Sequence, residues 1–350
     1  MHSQTTRTKV KATLLTLIVA LVLAACGGSD VGGADADKPA DGGSGSDSPG
    51  SDDALRIAVL LPSAKNDLAF SQSMVDSLEQ LGEDHDIEVA YTDNAFVVED
   101  AAAAILDYAS SGYQLVIAHG SQYGATIEEI APDFPEVSFA WGTAVDTFGL
   151  PNVFAYEAAA DQGGYVQGVM AAAMSTSDVL GIVGPIEVGD AKLYAEGFVA
   201  GARAQNPNVD VRVNWIGSFS DVALAAEAAK AFATQGADGL TGTAQMVVGA
   251  IGVAEEQGIA WFSSDVDQSS LAKDVVVSGQ VYHWEMLLSQ ILDELEQGTL
   301  GGKSYALTLE NGGLAIAFND DYDLPAEVRA LGEETRDGII AGEITTGVSP

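Results

Sequence analysis

Arg56-Ile57-Ala58-Val59-Leu60-Leu61 is a nearly continuous apolar run of strand length. A strand with one wet face alternates apolar and polar side chains; this run does not, which predicts a strand buried on both faces. Pro62 follows in a turn, and a helical pattern then covers 67–81. The unit recurs. Strand-like runs lie at 87–91, 115–118, 137–141, 179–183, 211–216, 239–241, 260–263 and 275–277. Between many of them sit Ala-rich segments of helical length, at 99–110, 191–205, 221–235 and 247–257. Strand and helix alternating on this spacing predict parallel sheets covered by helices. Several helices are expected to stop at Gly112, Gly236 and Gly258, where a left-handed cap is easiest.

The strands are too many for one ordinary open sheet. Two sheets are therefore expected, in preference to a closed eight-stranded barrel, which would show eight even repeats. The region after Val275 breaks the repeat: a helix at 284–297, strand-like 305–309 and 314–318, then a helix at 326–342. That tail reads as chain passing more than once between lobes. The expected fold class is α/β, with two Rossmann-like lobes of parallel strands joined by a hinge.

Upstream of this region the chain has a different character. Arg7, Lys9 and Lys11 precede an apolar stretch from Ala12 to Leu23, and Leu23-Ala24-Ala25-Cys26 is followed by Gly27, Gly28 and Ser29. Basic start, short apolar core and small residues describe a secretory signal peptide, too short for a membrane span. Cys26 is the single cysteine, and its setting resembles a bacterial lipobox, which implies an acylated cysteine at the start of the mature chain. The expected segments are a signal peptide at 1–25 and a disordered acidic tether at 26–53, which lacks the apolar residues to offset ordering entropy. Lobe 1 is expected from 54–156 plus about 279–310, and lobe 2 from 157–278 plus about 311–350. The location implied is the extracytoplasmic face of the cell membrane, held by a lipid anchor.

Composition narrows the function. With 51 acidic against 14 basic residues the net charge is −37. Such a surface repels phosphates and anionic headgroups, so nucleic acid is excluded as a partner. It suits a salt-rich habitat, where screening relieves self-repulsion. Enzymatic signatures are lacking: there is no Gly-x-Gly-x-x-Gly, Walker loop, Gly-x-Ser-x-Gly or His-Glu-x-x-His. Asp320, Asp321 and Asp323 lack the glycine and terminal glutamate of a calcium loop and read as acids ahead of a helix. No cofactor, metal or catalytic residue is expected.

Four segments are more specific. They are Tyr194 to Pro207 leading into Trp215-Ile216-Gly217-Ser218-Phe219-Ser220-Asp221; Gln235-Gly236-Ala237-Asp238; Asp265-Val266-Asp267-Gln268-Ser269; and Gly312-Gly313-Leu314-Ala315-Ile316-Ala317-Phe318-Asn319. In this order they resemble the basic membrane protein family of PnrA-like lipoproteins, over nearly all of residues 55–320. The resemblance implies a type I periplasmic-binding-protein fold and a substrate-binding subunit of an ABC transporter, partnered by a membrane permease. It implies a purine nucleoside or related base as ligand.

The site expectations follow from that resemblance. The family's Asp-Lys-Ser-Phe-Asn-Gln is matched by Asp67-Leu68-Ala69-Phe70-Ser71-Gln72, so Phe70 is expected to stack on the ligand ring, with Ser71 in place of the base-binding asparagine. A core phenylalanine is the alternative for Phe70. Asp265 aligns with the family's ribose-binding aspartate and follows a strand, where ligands of parallel sheets bind; a helix cap is its alternative. Two departures matter. The family's acidic residue after the first strand falls near Leu61-Pro62, and its lysine is missing from Ser278-Gly279-Gln280-Val281-Tyr282-His283-Trp284, so recognition of ribose becomes open. Gln280 and Trp284 are kept as ligand candidates, with hinge packing as the other reading of the aromatic run. His119, Gln122, Trp141 and Gln245 are placed at the cleft by their positions at strand ends. The rival readings are a binding protein for a sugar or a furanone signal, a sensor subunit, and a surface nucleoside hydrolase. The last would need an aspartate cluster after the first strand, which Leu60 to Lys65 does not supply.

Overall fold

The computed structural model describes residues 54–348. Cys26, the signal peptide and the tether lie outside the described residues. Strand β1 (Leu55–Leu60) is the run quoted above, and Ile57 to Leu61 are fully buried. Helix α1 (Phe70–Asp84) leads to β2 (Ile87–Thr92), α2 (Val98–Ser110) to β3 (Leu115–Ala118), and α3 (Gly124–Ile130) to β4 (Ser138–Gly142) and β5 (Val153–Ala158). Helix α4 (Ala160–Met174) opens a second series: β6 (Val179–Gly184), α5 (Gly189–Gln205), β7 (Asp210–Trp215), α6 (Val222–Thr234), β8 (Gly239–Gly242), α7 (Val247–Gln257), β9 (Ala260–Ser263) and β10 (Val276–Tyr282). Helix α8 (Glu285–Glu296) and β11 (Ser304–Leu307) return to the first series, and β12 (Leu314–Phe318) and α9 (Ala326–Ile340) to the second.

Two six-stranded sheets result, ordered β11-β5-β4-β3-β1-β2 and β12-β10-β9-β8-β6-β7. All pairings are parallel except β10 with β12. The fold is thus two α/β lobes, and the barrel alternative falls. In each lobe β1 or β6 lies between its two successors in the chain, so the strand order reverses there, and such a switch opens a crevice beyond the carboxyl ends of the strands.

Three connections cross between lobes: β5 to α4, β10 to α8, and β11 to β12. They run side by side and bond to one another. The Ala159 amide donates to the Leu307 carbonyl at 2.9 Å, and that of His283 to Gly313 at 2.9 Å. The Leu309 amide donates to Gln162 Oε1 at 2.8 Å.

Local differences from the expectation have physical reasons. Helix α1 starts at Phe70 instead of 67 because the Asp67 carboxylate accepts from the amides of Ala69, Ser71 and Gln72, and Leu68 is forced to a left-handed φ of 59°. Gly112, Gly236 and Gly258 have φ of 81°, 88° and 65°, the left-handed stops expected. Strand β10 runs on to Tyr282, since it becomes one of the three crossings. Strand β5 and helix α4 had no counterpart in the sequence reading. Helix α4 is Ala- and Gly-rich and buries ten of its fifteen residues, so it shows no polar face from which a period is read. It lies against α5 so closely that a Cβ at Gly164 would strike the Tyr194 carbonyl, and one at Gly197 the Asp161 carbonyl. Only glycine permits that approach.

Candidate functional site

A cleft, partly open to solvent, lies between the carboxyl ends of the two sheets. Pro62, Phe96, Gly120 and Thr143 reach it from the ends of β1 to β4; Asp190, Phe219, Thr243 and Asp265 reach it from the ends of β6 to β9. Its lining pairs aromatic surface with a few polar groups, the composition of a small-molecule site. None of its lining side chains is Lys, Arg or His. Contacts cross the cleft at its rim: Gln268 Nε2 donates to the Leu68 carbonyl at 3.1 Å, and the rings of Phe96 and Phe219 lie 6.1 Å apart.

Phe70 forms one wall. Its ring stacks on His119 at 3.9 Å with 5° between planes, and the edge of Trp284 meets it at 6.0 Å. One face is thereby occupied by His119, and the half-buried ring also lines the cavity. Asp67 does not line the cavity; it fixes the start of α1 and so the position of Phe70, and it also accepts from the Ser63 hydroxyl. Ser71, in the place of the family's asparagine, is fully buried with its hydroxyl 2.7 Å from that of Ser63.

His119 sits behind Phe70, fully buried. Burial pulls its pKa down to about 3, so the ring is neutral. The Phe70 carbonyl, 3.3 Å from Nε2, can only accept, so Nε2 carries the hydrogen and Nδ1 accepts from the Tyr156 hydroxyl at 2.8 Å. Trp284 is likewise behind the wall: it is fully buried, with Nε1 donating to Ser73 Oγ at 2.8 Å and its backbone amide to Ser77 Oγ at 3.0 Å. Trp141 stacks on Phe148 at 4.8 Å and donates to the Gly120 carbonyl. Gln280 is buried beside the crossings, where a Cβ at Gly163 would strike its Oε1. The structure therefore sets Phe70, Gln122, Gln245 and Asp265 on the cavity, and Asp67, Ser71, His119, Trp141, Gln280 and Trp284 in the layer supporting it.

Asp265 is 1% exposed and holds a φ of 75°, a strained value for a residue other than glycine. Its carboxylate accepts from the Ala244 amide at 2.9 Å and the Thr243 hydroxyl at 3.2 Å, and its carbonyl accepts from the Tyr282 amide. Desolvation pushes its pKa up to about 7, against the Ala244 hydrogen bond. Gln122 lines the first-lobe side with a buried Nε2 that has no partner.

Sequence reasoning missed Asp190, Phe96, Phe219 and Thr243 as lining residues. The available signal was position: each follows a strand at the edge where parallel sheets bind ligands. Phe219 and Asp190 stood in or beside the segments that carried the resemblance. Tyr282 lines the cavity and also ends a crossing strand, so both readings of that aromatic apply to it.

Residues 54–338 match the family described as ABC transporter substrate-binding protein, PnrA-like. The chain belongs to that family. Its members are binding proteins, not enzymes, and work outside the cytoplasm with a membrane permease. A purine-binding protein of Brucella abortus is 29% identical over 279 residues, covering 80% of this chain and 78% of that one. The ABC transporter nucleoside-binding protein BmpA of Lactococcus lactis is 23% identical over 318 residues, covering 83% of this chain and 88% of that one. A solved ABC transporter solute-binding protein of Conexibacter woesei superposes with a TM-score of 0.69 at 23% identity, covering 83% of this chain and 98% of that one, which shows the shared fold. Among the described residues no helix is long and apolar enough to cross a membrane.

Proposed function

We propose that this PnrA-like protein captures a purine, as nucleoside or free base, and hands it to an ABC permease while anchored through acylated Cys26. The observation that carries the reading is the wall at Phe70: a flat ring fixed from behind by His119 and Trp284, on a cleft that also receives Phe219 from the other lobe. Aromatic surface from both lobes suits a planar heterocycle, and an offset stack adds about 0.5–1.5 kcal/mol beyond burial. The lining polar groups are uncharged or acidic, which disfavours phosphorylated ligands and leaves nucleosides and bases. The names carried by the Brucella and Lactococcus relatives point the same way. Sugar hydroxyls, where present, fall to Asp265, whose oxygens keep lone pairs beyond those given to Ala244 and Thr243.

The test is thermal unfolding against nucleosides, free bases, pentoses and hexoses, after removal of carried-over ligand. A ligand at a hundred times its dissociation constant adds about 2.7 kcal/mol. A purine that raises the midpoint supports the reading; a response confined to sugars refutes it. For the anchor, Cys26→Ala is expected to move the protein from the membrane to the soluble fraction.

A further inference from the structure

Asp190 is the buried polar group that the cleft leaves unexplained. It stands in the first turn of α5, directly after Gly189, whose left-handed φ of 51° turns the chain into the helix. Its side chain lines the cavity, only 6% of the residue is exposed, and neither carboxylate oxygen has a hydrogen-bond partner of good geometry, the Ala158 backbone being the polar group that acts on it. Burial, and after it the Glu157 carboxylate, raise its pKa well above the carboxylate range, opposed by the Ala158 backbone; two ligand N–H donors act in the opposite sense and favour the ionised carboxylate. No lining cation compensates it. Asp265, by contrast, has both oxygens engaged within the protein. An unmade pair of buried acceptors is costly unless a ligand supplies the donors.

The chemistry that resolves it is narrow. Two free oxygens on one carboxylate match two parallel N–H donors, as an Arg fork does. On a planar heterocycle, two such donors side by side are a ring N–H beside an exocyclic amino group. We infer that Asp190 selects among purines, its carboxylate accepting both the ring N1–H and the 2-amino group of a guanine-type edge. The unpartnered Nε2 of Gln122 on the opposite lobe supplies the donor for an acceptor elsewhere on the same ring. Hypoxanthine retains N1–H and loses the amino group, so one Asp190 oxygen stays unpaired. Adenine sets an acceptor where N1–H is needed. The inference rests on the purine reading of the cleft and adds the choice of edge.

Calorimetric titration with guanosine, inosine and adenosine tests it. Guanosine and inosine differ by the 2-amino group alone. Guanosine is expected to bind at least about tenfold tighter than inosine, the consequence of leaving a buried acceptor unmatched. Asp190→Asn exchanges one acceptor for a donor, the pattern with which asparagine pairs adenine edges, and is expected to shift preference from guanosine to adenosine. Its unliganded melting midpoint should equal or exceed that of the unaltered protein, since an unpaired buried carboxyl is removed. Equal binding of guanosine and inosine by the unaltered protein overturns the inference whatever the variant does, and so does an Asn variant that keeps the guanosine preference; both outcomes leave the purine reading intact. Failure of every purine to bind overturns both.

Discussion

Replacing Phe70 separates its role as ligand platform from its role as packing. The ring lies against His119 at 3.9 Å, meets the edge of Trp284, and is half-buried. Phe70→Leu keeps most of the apolar contact with His119 and removes the flat face. Stacking of a base on an aromatic ring is worth about 1–3 kcal/mol by substitution, so guanosine affinity should fall between about fivefold and 150-fold. The stability cost should stay near 1–2 kcal/mol, because a half-buried ring loses less than the 3–5 kcal/mol typical of a core Phe→Ala change. Trp284→Phe serves as the control. It breaks the hydrogen bond to Ser73 behind the wall and leaves the surface facing the ligand intact, so stability drops by about 1–2 kcal/mol with little change in affinity. Calorimetric titration paired with thermal unfolding reads both quantities. A folded Phe70→Leu protein that binds guanosine within twofold of the original refutes the platform argument, and so does a Trp284→Phe protein that loses as much affinity as the Leu variant.

Two further predictions concern the second lobe. The pKa of Asp265 is raised from 3.8 to about 7, so the folded state binds the extra proton between those values and this carboxyl's contribution to stability falls as pH rises through that window. His119, lowered to about 3, works in the opposite sense below pH 6.5, so the comparison must be with Asp265→Asn: the midpoint of the variant minus that of the parent should climb by several degrees from pH 4 to pH 8, and a flat difference shows that the carboxyl is not desolvated. Gly197→Ala presses a methyl group onto the Asp161 carbonyl of α4; overpacking of this kind costs about 1–3 kcal/mol, and denaturant unfolding should show at least that loss, whereas Gly252→Ala, with nothing within 4 Å, should be neutral or slightly stabilising.

The doubly buried strands were legible because their side chains are apolar on both faces, as in β1 and β3. The unit of strand plus amphipathic helix was legible for the same reason at α1 and α2, which keep a polar face. Helix α4 escaped because it is buried nearly all round and made of small residues, and β5 went unread with it. At the site, resemblance drew attention to Phe70 and Asp265, which line the cavity. Position at a strand end drew in His119 and Trp141 as well, but His119 backs Phe70 and Trp141 stacks on Phe148. Strand-end position gives the right edge of the sheet but not whether a side chain faces the cleft or the layer beneath. Asp190 could not be singled out, since its importance lies in partners it lacks, and lacking partners is a property of three-dimensional surroundings alone.

The three crossings between lobes have a mechanical consequence. One connection would let the lobes swivel as well as bend. Three that run side by side, tied by the Ala159–Leu307, Leu309–Gln162 and His283–Gly313 hydrogen bonds, resist torsion and shear while a few backbone angles still flex. Relative motion is thereby reduced to nearly one coordinate, like a calliper with a single screw. On such an instrument the thickness of a solute held between the lobes is expected to set the angle at which they close.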